Sequence, residues 1–418
     1  VLTISRLSRW SINYYNDTAD QAQTAAMDRQ AVGGGLGEYY SEGDTRVPTW
    51  VVVGDNAAVG ELTWLGVAAL HGGIAGTKVA ARWLDDGITP DGANGRVLTK
   101  GSVHGFDLTF AAPNSVSLLR ALTDDVGEKI MVMAHSKGIE AATIYLHEHA
   151  GYTRVHNPQT GKKDLQRLPG LVAIAYQHET SRCGGPHLHS QMIVPNRQAR
   201  ADGTLVSIDS KSLHHEAKAA GVIYQAVVRH ELHAAIGAEW AVVDGHSGMA
   251  EIAGVTKRCL KTWSQRSTRL REWARNNLVV VDGELTPPQL VAAQKATRPA
   301  KPESKPWTEL KEEWRADARG LEYDRAAHLE ARAARGAAPR ILLDRARLAR
   351  MVAHIDKSAF TRADLVESVG ALLPVGAPGD PRALIEQIVD AVSLRVTASP
   401  RHAKRTTAKG MSCSPRTR

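Results

Sequence analysis

Between residues 178 and 191 the chain reads HETSRCGGPHLHSQ. Three histidines, a cysteine and a glutamine crowd around a Gly-Gly-Pro turn, and imidazole nitrogen, thiolate and amide oxygen are the donors that proteins offer divalent cations. Alternate side chains of an extended strand share a face. His187, His189 and Gln191 therefore point one way, and Leu188, Ser190 and Met192 the other. His178 closes the preceding apolar stretch, and a tight hairpin sets it beside them. Cys183 lies in the turn, off that face, and a closed structural zinc site would have to recruit it.

A second group of residues could supply a nucleophile. NYYND holds Tyr14 and Tyr15, and GEYYSEGD holds Tyr39 and Tyr40, two adjacent pairs in a chain with nine tyrosines. A pair by itself ordinarily means packing. Beside a metal site it gains a chemical reading, because a tyrosine phenolate can attack a phosphodiester and become covalently linked to phosphate. The cation would polarise a non-bridging oxygen and neutralise charge that develops in the transition state. Asp107, in GFDLTF, shares a strand face with Gly105 and Thr109, opposite Phe106, Leu108 and Phe110. An acid on the face away from a core is ordinarily solvated. Arg182 sits in the histidine-bearing turn, where it can neutralise phosphate or close a structural salt bridge.

The elements that must position these residues follow from local pattern. PTWVVVG and VHGFDLTFAA read as strands, and LPGLVAIAYQHETS with PHLHSQMIVPN reads as an antiparallel hairpin. GTLVSID would add a further strand. Residues 125 to 148 carry apolar residues at helical spacing. From about Leu213 the pattern is helical, through EAKAAGVIYQAVVRHELHAAIGAEW and the basic LKTWSQRSTRLREWARNN. KATRPAKPESKPW has linker composition, and RHAKRTTAKGMSCSPRTR carries six basic residues and no acid, the composition of a disordered tail. Strands joined by hairpins and interrupted by helices make an α+β domain.

Composition narrows the classes. A formal charge of +8 over 418 residues fits a polyanionic partner, nucleic acid first, and fits an ordinary basic enzyme about equally well. Three irregularly spaced cysteines argue against a disulfide framework and for a reducing compartment. The start of the chain shows no signal-peptide core, and there is no apolar run of about eighteen residues. The expectation is a soluble, cytoplasmic protein with no membrane insertion. GGIAGTK and QTGKKD both fail the spacing of a phosphate-binding loop, so an ATPase is not expected.

The strand-borne His-x-His beside a lone His resembles the HUH nucleases, and the chain resembles the conjugative relaxases of the MobF (TrwC-like) family. The resemblance runs from LTISRLS…YY through FDLTFAAPNSVSLL to HETSRCGGPHLHSQ, GVIYQAVVRHEL and EIAGV, over about the first 290 residues. It implies an antiparallel-sheet palm with flanking helices, then a helical fingers region and a helical C-terminal extension. It also implies site- and strand-specific nicking and strand transfer of single-stranded DNA at a plasmid transfer origin. Tyr14 would be the primary nucleophile, forming a 5′-phosphotyrosine beside Tyr15, and Tyr39 with Tyr40 would serve a second transfer. Asp107 would orient a ligand histidine or accept the tyrosine proton.

The family's metal ligands fall on His178, His189 and position 191, which here is Gln rather than His. An amide oxygen suits Mg²⁺ or Mn²⁺ better than Zn²⁺, and His187 on the same face is the alternative third ligand. The implied organisation is a relaxase domain at 1–294 with fingers from about 213, and a linker at 295–308. A helical region at 309–396 resembles the start of a helicase domain, and a basic tail fills 397–418. Relaxosome accessory proteins and a type IV coupling protein are implied partners. Two rivals are a rolling-circle replication initiator of the HUH type and a non-catalytic zinc-stabilised DNA-binding protein that uses Cys183.

Overall fold

A computed structural model of the chain describes residues 2–16, 47–54, 72–95, 97–99, 101–245, 247–279, 285–299, 305–337 and 360–398. Tyr39, Tyr40 and the tail from 399 onward lie outside the described residues. Five strands build one antiparallel sheet: β1 (Leu2–Leu7), β2 (Thr49–Gly54), β3 (Gly105–Ala111), β6 (Gly170–Thr180) and β7 (Pro186–Pro195). Their order is β1-β3-β7-β6-β2, so the histidine-bearing strand β7 runs through the middle. A separate ribbon pairs β4 (Tyr152–His156) with β5 (Lys163–Arg167). The expected strand GTLVSID contributes only Leu205–Val206 (β9), paired with Gln198–Ala199 (β8) outside the main sheet. A tight turn closed by Gly203 N–H to Arg200 O precedes it, and Asp209 already caps the next helix, so little chain remains to extend.

Short α1 (Thr77–Ala81) runs into a wide helical turn at Arg82–Asp86, and α2 (Asn114–Leu122) follows β3. Two long helices, α3 (Asp125–Ala150) and α4 (Ser210–Ile236), cover one face of the sheet. Each begins on an aspartate that accepts a backbone N–H of its first turn, Asp124 from Gly127 and Asp209 from Ser212. Their apolar stripes meet Phe106, Leu108, Phe110, Leu188 and Met192 in the main core. The two helices approach closely at Gly138, where a Cβ would stand 2.7 Å from a Tyr224 ring carbon. The opposite face is not left to water. Ile12, Trp50, Trp83, Tyr176 and Ile193 build a second, smaller core over part of it.

After α4 come α5 (Lys257–Trp263), α6 (Gln265–Asn277), α7 (Pro287–Ala296), α8 (Trp307–Ala316), α9 (Arg325–Ala337), α10 (Arg362–Leu372) and α11 (Pro381–Ala398). Leu310 and Trp314 of α8, Val366 and Val369 of α10 and Ile385 and Val389 of α11 enter the main core. Among the described residues, α8, α10 and α11 thus share the main core with the sheet. Arg229 of α4, 1% exposed, donates to the Gly370 carbonyl of α10 at 3.1 Å, which binds the late helices to the body.

Beneath the central strand His135 is fully buried, its Nδ1 2.7 Å from the Tyr224 hydroxyl and its Nε2 2.9 Å from Ser190 Oγ. Burial pushes its pKa from 6.5 down to about 3, so it stays neutral in the fold while the unfolded chain takes a proton. Its contribution to stability is present above about pH 6.5 and is lost as the pH falls toward about 3. Calorimetry across that window should show a falling Tm, and a shallower fall in His135→Gln.

Candidate active site

The face of the sheet away from the long helices carries the chemistry toward the hairpin-turn end. His178 of β6 pairs directly with His189 of β7, Tyr176 with Gln191, and Gln191 with Thr109 of β3. Past His178 the register slips: two residues advance on β6, to Thr180, against three on β7, to Pro186. This bulge re-aims the end of β7, and the three imidazoles form a stack with His189 in the middle. Its ring lies 5.1 Å from that of His178 and 4.7 Å from that of His187, centroid to centroid.

His187 and His189 are prepared as neutral donors. His189 Nδ1 donates to the His187 carbonyl at 2.9 Å, which leaves Nε2 with its lone pair for a cation. Burial lowers the pKa of His189 and pushes His187 down to about 3. In the stack the three rings do not bring one nitrogen each within 4.8 Å of the others, so enclosing an ion requires side-chain rotation. The donor set itself fits a divalent cation: imidazoles on one face, with an amide oxygen two residues along β7. Among the described residues, the group that does reach that spacing is Glu148, His149 and Glu386. Arg382 holds both of those glutamates, which makes it an ion-pair knot between α3 and α11. Cys183 joins no such group among the described residues.

Asp107 is the junction of the site. It is 4% exposed, not solvated as its strand face suggested, because the second core covers that stretch. Its Oδ2 accepts from the Tyr15 hydroxyl at 2.8 Å and from Gln191 Nε2 at 3.1 Å, and its Oδ1 from Thr109 at 3.1 Å. Burial raises the Asp107 pKa, against the lowering effect of these three donors. Burial, reinforced by the negative charge of Asp107, pushes Tyr15 far above the ordinary phenol value. Gln191 gives an amide N–H to Asp107, so its carbonyl oxygen is the atom it can offer a cation.

The two adjacent tyrosines are thereby divided. They sit on a helical turn at residues 13–16, and Asn16 holds it by donating to the Thr77 carbonyl and accepting from the Tyr176 hydroxyl. Tyr15 faces inward, whereas Tyr14 is 39% exposed. Arg182 donates to the Tyr14 oxygen at 3.0 Å, with its guanidinium 5.6 Å from the ring centroid. The structure thus brings Tyr14, Tyr15, Asp107, Arg182, His178, His187, His189 and Gln191 to one end of one sheet face.

Three features escaped the sequence pattern. Glu179, next to His178, points to the opposite face, is 4% exposed and pairs with Arg120 of α2, itself 1% exposed. The Trp307 ring lies 3.9 Å from the Arg120 guanidinium carbon. An acid alternating with a buried strand residue was the available signal, since a buried carboxylate requires a cation. Second, a cleft of about 690 Å³ opens beside His187, lined also by Ser181, Asn114, Trp263, Arg266 and Arg271. Third, the β4–β5 ribbon is exposed at its tip and carries Lys162 and Lys163.

The family model described as TrwC relaxase matches residues 10–321, and the chain belongs to that family. Among curated proteins it is similar to the multifunctional conjugation protein TraI of Escherichia coli, 32% identical over 252 residues. That match covers 57% of this chain and 13% of the relative's length, and the K12-strain TraI is 31% identical over the same share. Two solved structures share the fold. One is the copper-bound conjugative relaxase TrwC in complex with OriT DNA (TM-score 0.59, 22% identity, covering 78% of this chain and 100% of that one). The other is TrwC with a 27-mer DNA comprising the recognition hairpin and the cleavage site (TM-score 0.57, 22% identity, with the same coverage).

Removing one partner of a buried ion pair leaves the other charge stranded, at a cost of about 3–5 kcal/mol. Arg120→Met should lower the free energy of urea unfolding by about that much, and Arg120→Met with Glu179→Met should recover most of it.

Proposed function

We propose that this chain is a tyrosine DNA nickase and strand transferase that cuts one strand at a transfer origin. The observation that carries the reading is the exposed Tyr14 phenol held by Arg182, at the end of the sheet face where the histidines gather. Membership of the TrwC relaxase family supports it and disfavours both rivals. The zinc-stabilised module would in addition need Cys183 beside the histidines.

In the proposed reaction the Tyr14 oxygen attacks the scissile phosphorus and the bond to the 3′ oxygen breaks. The products are a 5′-phosphotyrosine and a free 3′-OH. Attack by a 3′-OH on the phosphotyrosine reverses the step and rejoins ends. Arg182 donates to the attacking oxygen and lies where it can also meet the phosphate. Asp107 acts through its neighbours: it fixes Tyr15, and with it the turn that presents Tyr14, and it orients Gln191. A divalent cation would be held by His178 and His189 with Gln191 as third ligand, His187 being the alternative, and would stabilise charge on a non-bridging phosphoryl oxygen. Mg²⁺ or Mn²⁺ is the preferred ion and Zn²⁺ the alternative. Tyr39 and Tyr40 are assigned a second strand transfer on the family resemblance alone.

Two surfaces suit the DNA. The cleft beside His187 offers Arg266 and Arg271 to a strand that leads to Tyr14. The exposed β4–β5 ribbon has the dimensions that a DNA major groove admits, and Lys162 and Lys163 would meet backbone phosphates of a duplex arm. Accessory proteins at the origin and a coupling protein of a type IV secretion channel are the proposed protein partners. No described helix is long and apolar enough to cross a membrane.

The test incubates the full chain and Mn²⁺ with a random-sequence single-stranded DNA pool, then recovers and sequences protein-linked DNA after denaturation. One enriched sequence is expected, with adduct lost in Tyr14→Phe. Absence of any adduct, or equal yield from Tyr14→Phe, would overturn the reading. For the ligands, Mn²⁺ titration calorimetry should show the larger loss of affinity in Gln191→Ala. A larger loss in His187→Ala transfers the third position to His187. Lys162→Glu with Lys163→Glu should reduce the salt slope of binding to a probe with a duplex arm, by about 0.9 for each phosphate that is no longer neutralised.

A further inference from the structure

Among the described residues, Trp10 is the one non-glycine residue at positive φ, 67°. A bulky side chain rarely adopts the left-handed region, and it persists there only when its surroundings hold it. Here they do. The Trp10 N–H donates to Asp85 Oδ1 at 3.1 Å, and Asp85 is 7% exposed in the wide turn at Arg82–Asp86. The Trp10 carbonyl accepts from Asn13 N at 3.2 Å, which opens the turn that presents Tyr14.

This strain is not offset by packing of the ring. Trp10 is 61% exposed, whereas Trp50, Trp83, Trp263 and Trp314 are all buried. The Arg9 guanidinium carbon lies 4.7 Å from its ring centroid. A pinned, strained backbone thus displays an indole and a guanidinium one turn of chain before the exposed tyrosine. Exposed aromatics next to cations are how proteins hold single-stranded nucleic acid, the base stacking on the ring and the cation meeting phosphate.

We propose that Trp10 is the stacking platform for a nucleobase flanking the scissile phosphate, with Arg9 contacting the adjoining backbone. This rests on the reading of the chain as a single-strand nickase. Trp10 would position the strand so that the phosphodiester meets Tyr14, and because every base has a π-face it would tolerate any base at that place.

The experiment uses the oligonucleotide recovered in the adduct screen and the full chain carrying Tyr14→Phe, so that binding is read without cleavage. By fluorescence anisotropy, adding Trp10→Ala should weaken binding about tenfold or more, and Trp10→Phe should retain most of the affinity. Trp10→Gly should weaken binding as Trp10→Ala does, with Tm unchanged or raised, because glycine accepts the positive φ without strain. Scanning the oligonucleotide with single abasic sites should find one position whose loss costs the Trp10 protein affinity but not the Trp10→Ala protein. Binding by Trp10→Ala within about twofold of the parent would overturn the proposal, as would an abasic scan with no such position or a Tm lowered in Trp10→Gly. A wild-type chain that yields no adduct sinks the nickase reading and this proposal with it. A normal adduct with unaltered binding in the Trp10 variants sinks the stacking role alone.

Discussion

One carboxylate oxygen, Asp107 Oδ2, accepts hydrogen bonds from Tyr15 and from Gln191, residues 92 and 84 positions away along the chain. Through it the N-terminal turn, strand β3 and strand β7 are referred to a single point. A buried carboxylate must be hydrogen-bonded or neutralised, so the arrangement leaves each partner little freedom. Tyr15 cannot swing outward without taking from buried Asp107 one of its three donors. Tyr14, on the same turn, is therefore the tyrosine left facing solvent and Arg182. Two adjacent residues of one type acquire opposite environments because one of them satisfies a buried acid.

The bulge in the β6–β7 hairpin has a comparable reach. It gives β7 one extra residue and tilts His187 over His189, while Glu179, one step from His178, faces the far side by strand alternation. There Arg120 receives it, its guanidinium lying over the Trp307 ring. The turn of the same hairpin is held from outside by Trp314, whose indole N–H donates to the Gly184 carbonyl at 3.0 Å. Helix α8, far along the chain, thus touches both the support behind the histidine strand and the turn that carries Arg182.

Under the proposed ligand set, Gln191, where the family resemblance implies His, can keep the hydrogen-bonding role of an imidazole. Like an imidazole, the amide can give an N–H to Asp107 and keep one acceptor for a cation. As the proposed third ligand it would offer an oxygen where an imidazole would offer a nitrogen, which would shift preference toward harder ions.

Much of this was legible in the chain. The alternation of β7 placed His187, His189 and Gln191 on one face, and the Gly-Gly-Pro turn placed His178 across from them. Side-chain direction in a strand and the choice of a turn are set by residues next to one another, so the sequence by itself determined the sheet hairpin, the long helices and the set of candidate donors. Which tyrosine is exposed, that Asp107 is buried, what Gln191 donates to and how the histidines stack were decided only by the tertiary structure. The first three depend on partners distant in the chain: Tyr15 and Gln191 meet Asp107 across 92 and 84 positions, and Tyr176 of the second core holds Asn16 beside the tyrosines. Burial and hydrogen-bond pairing are properties of packed elements, and no local pattern encodes them.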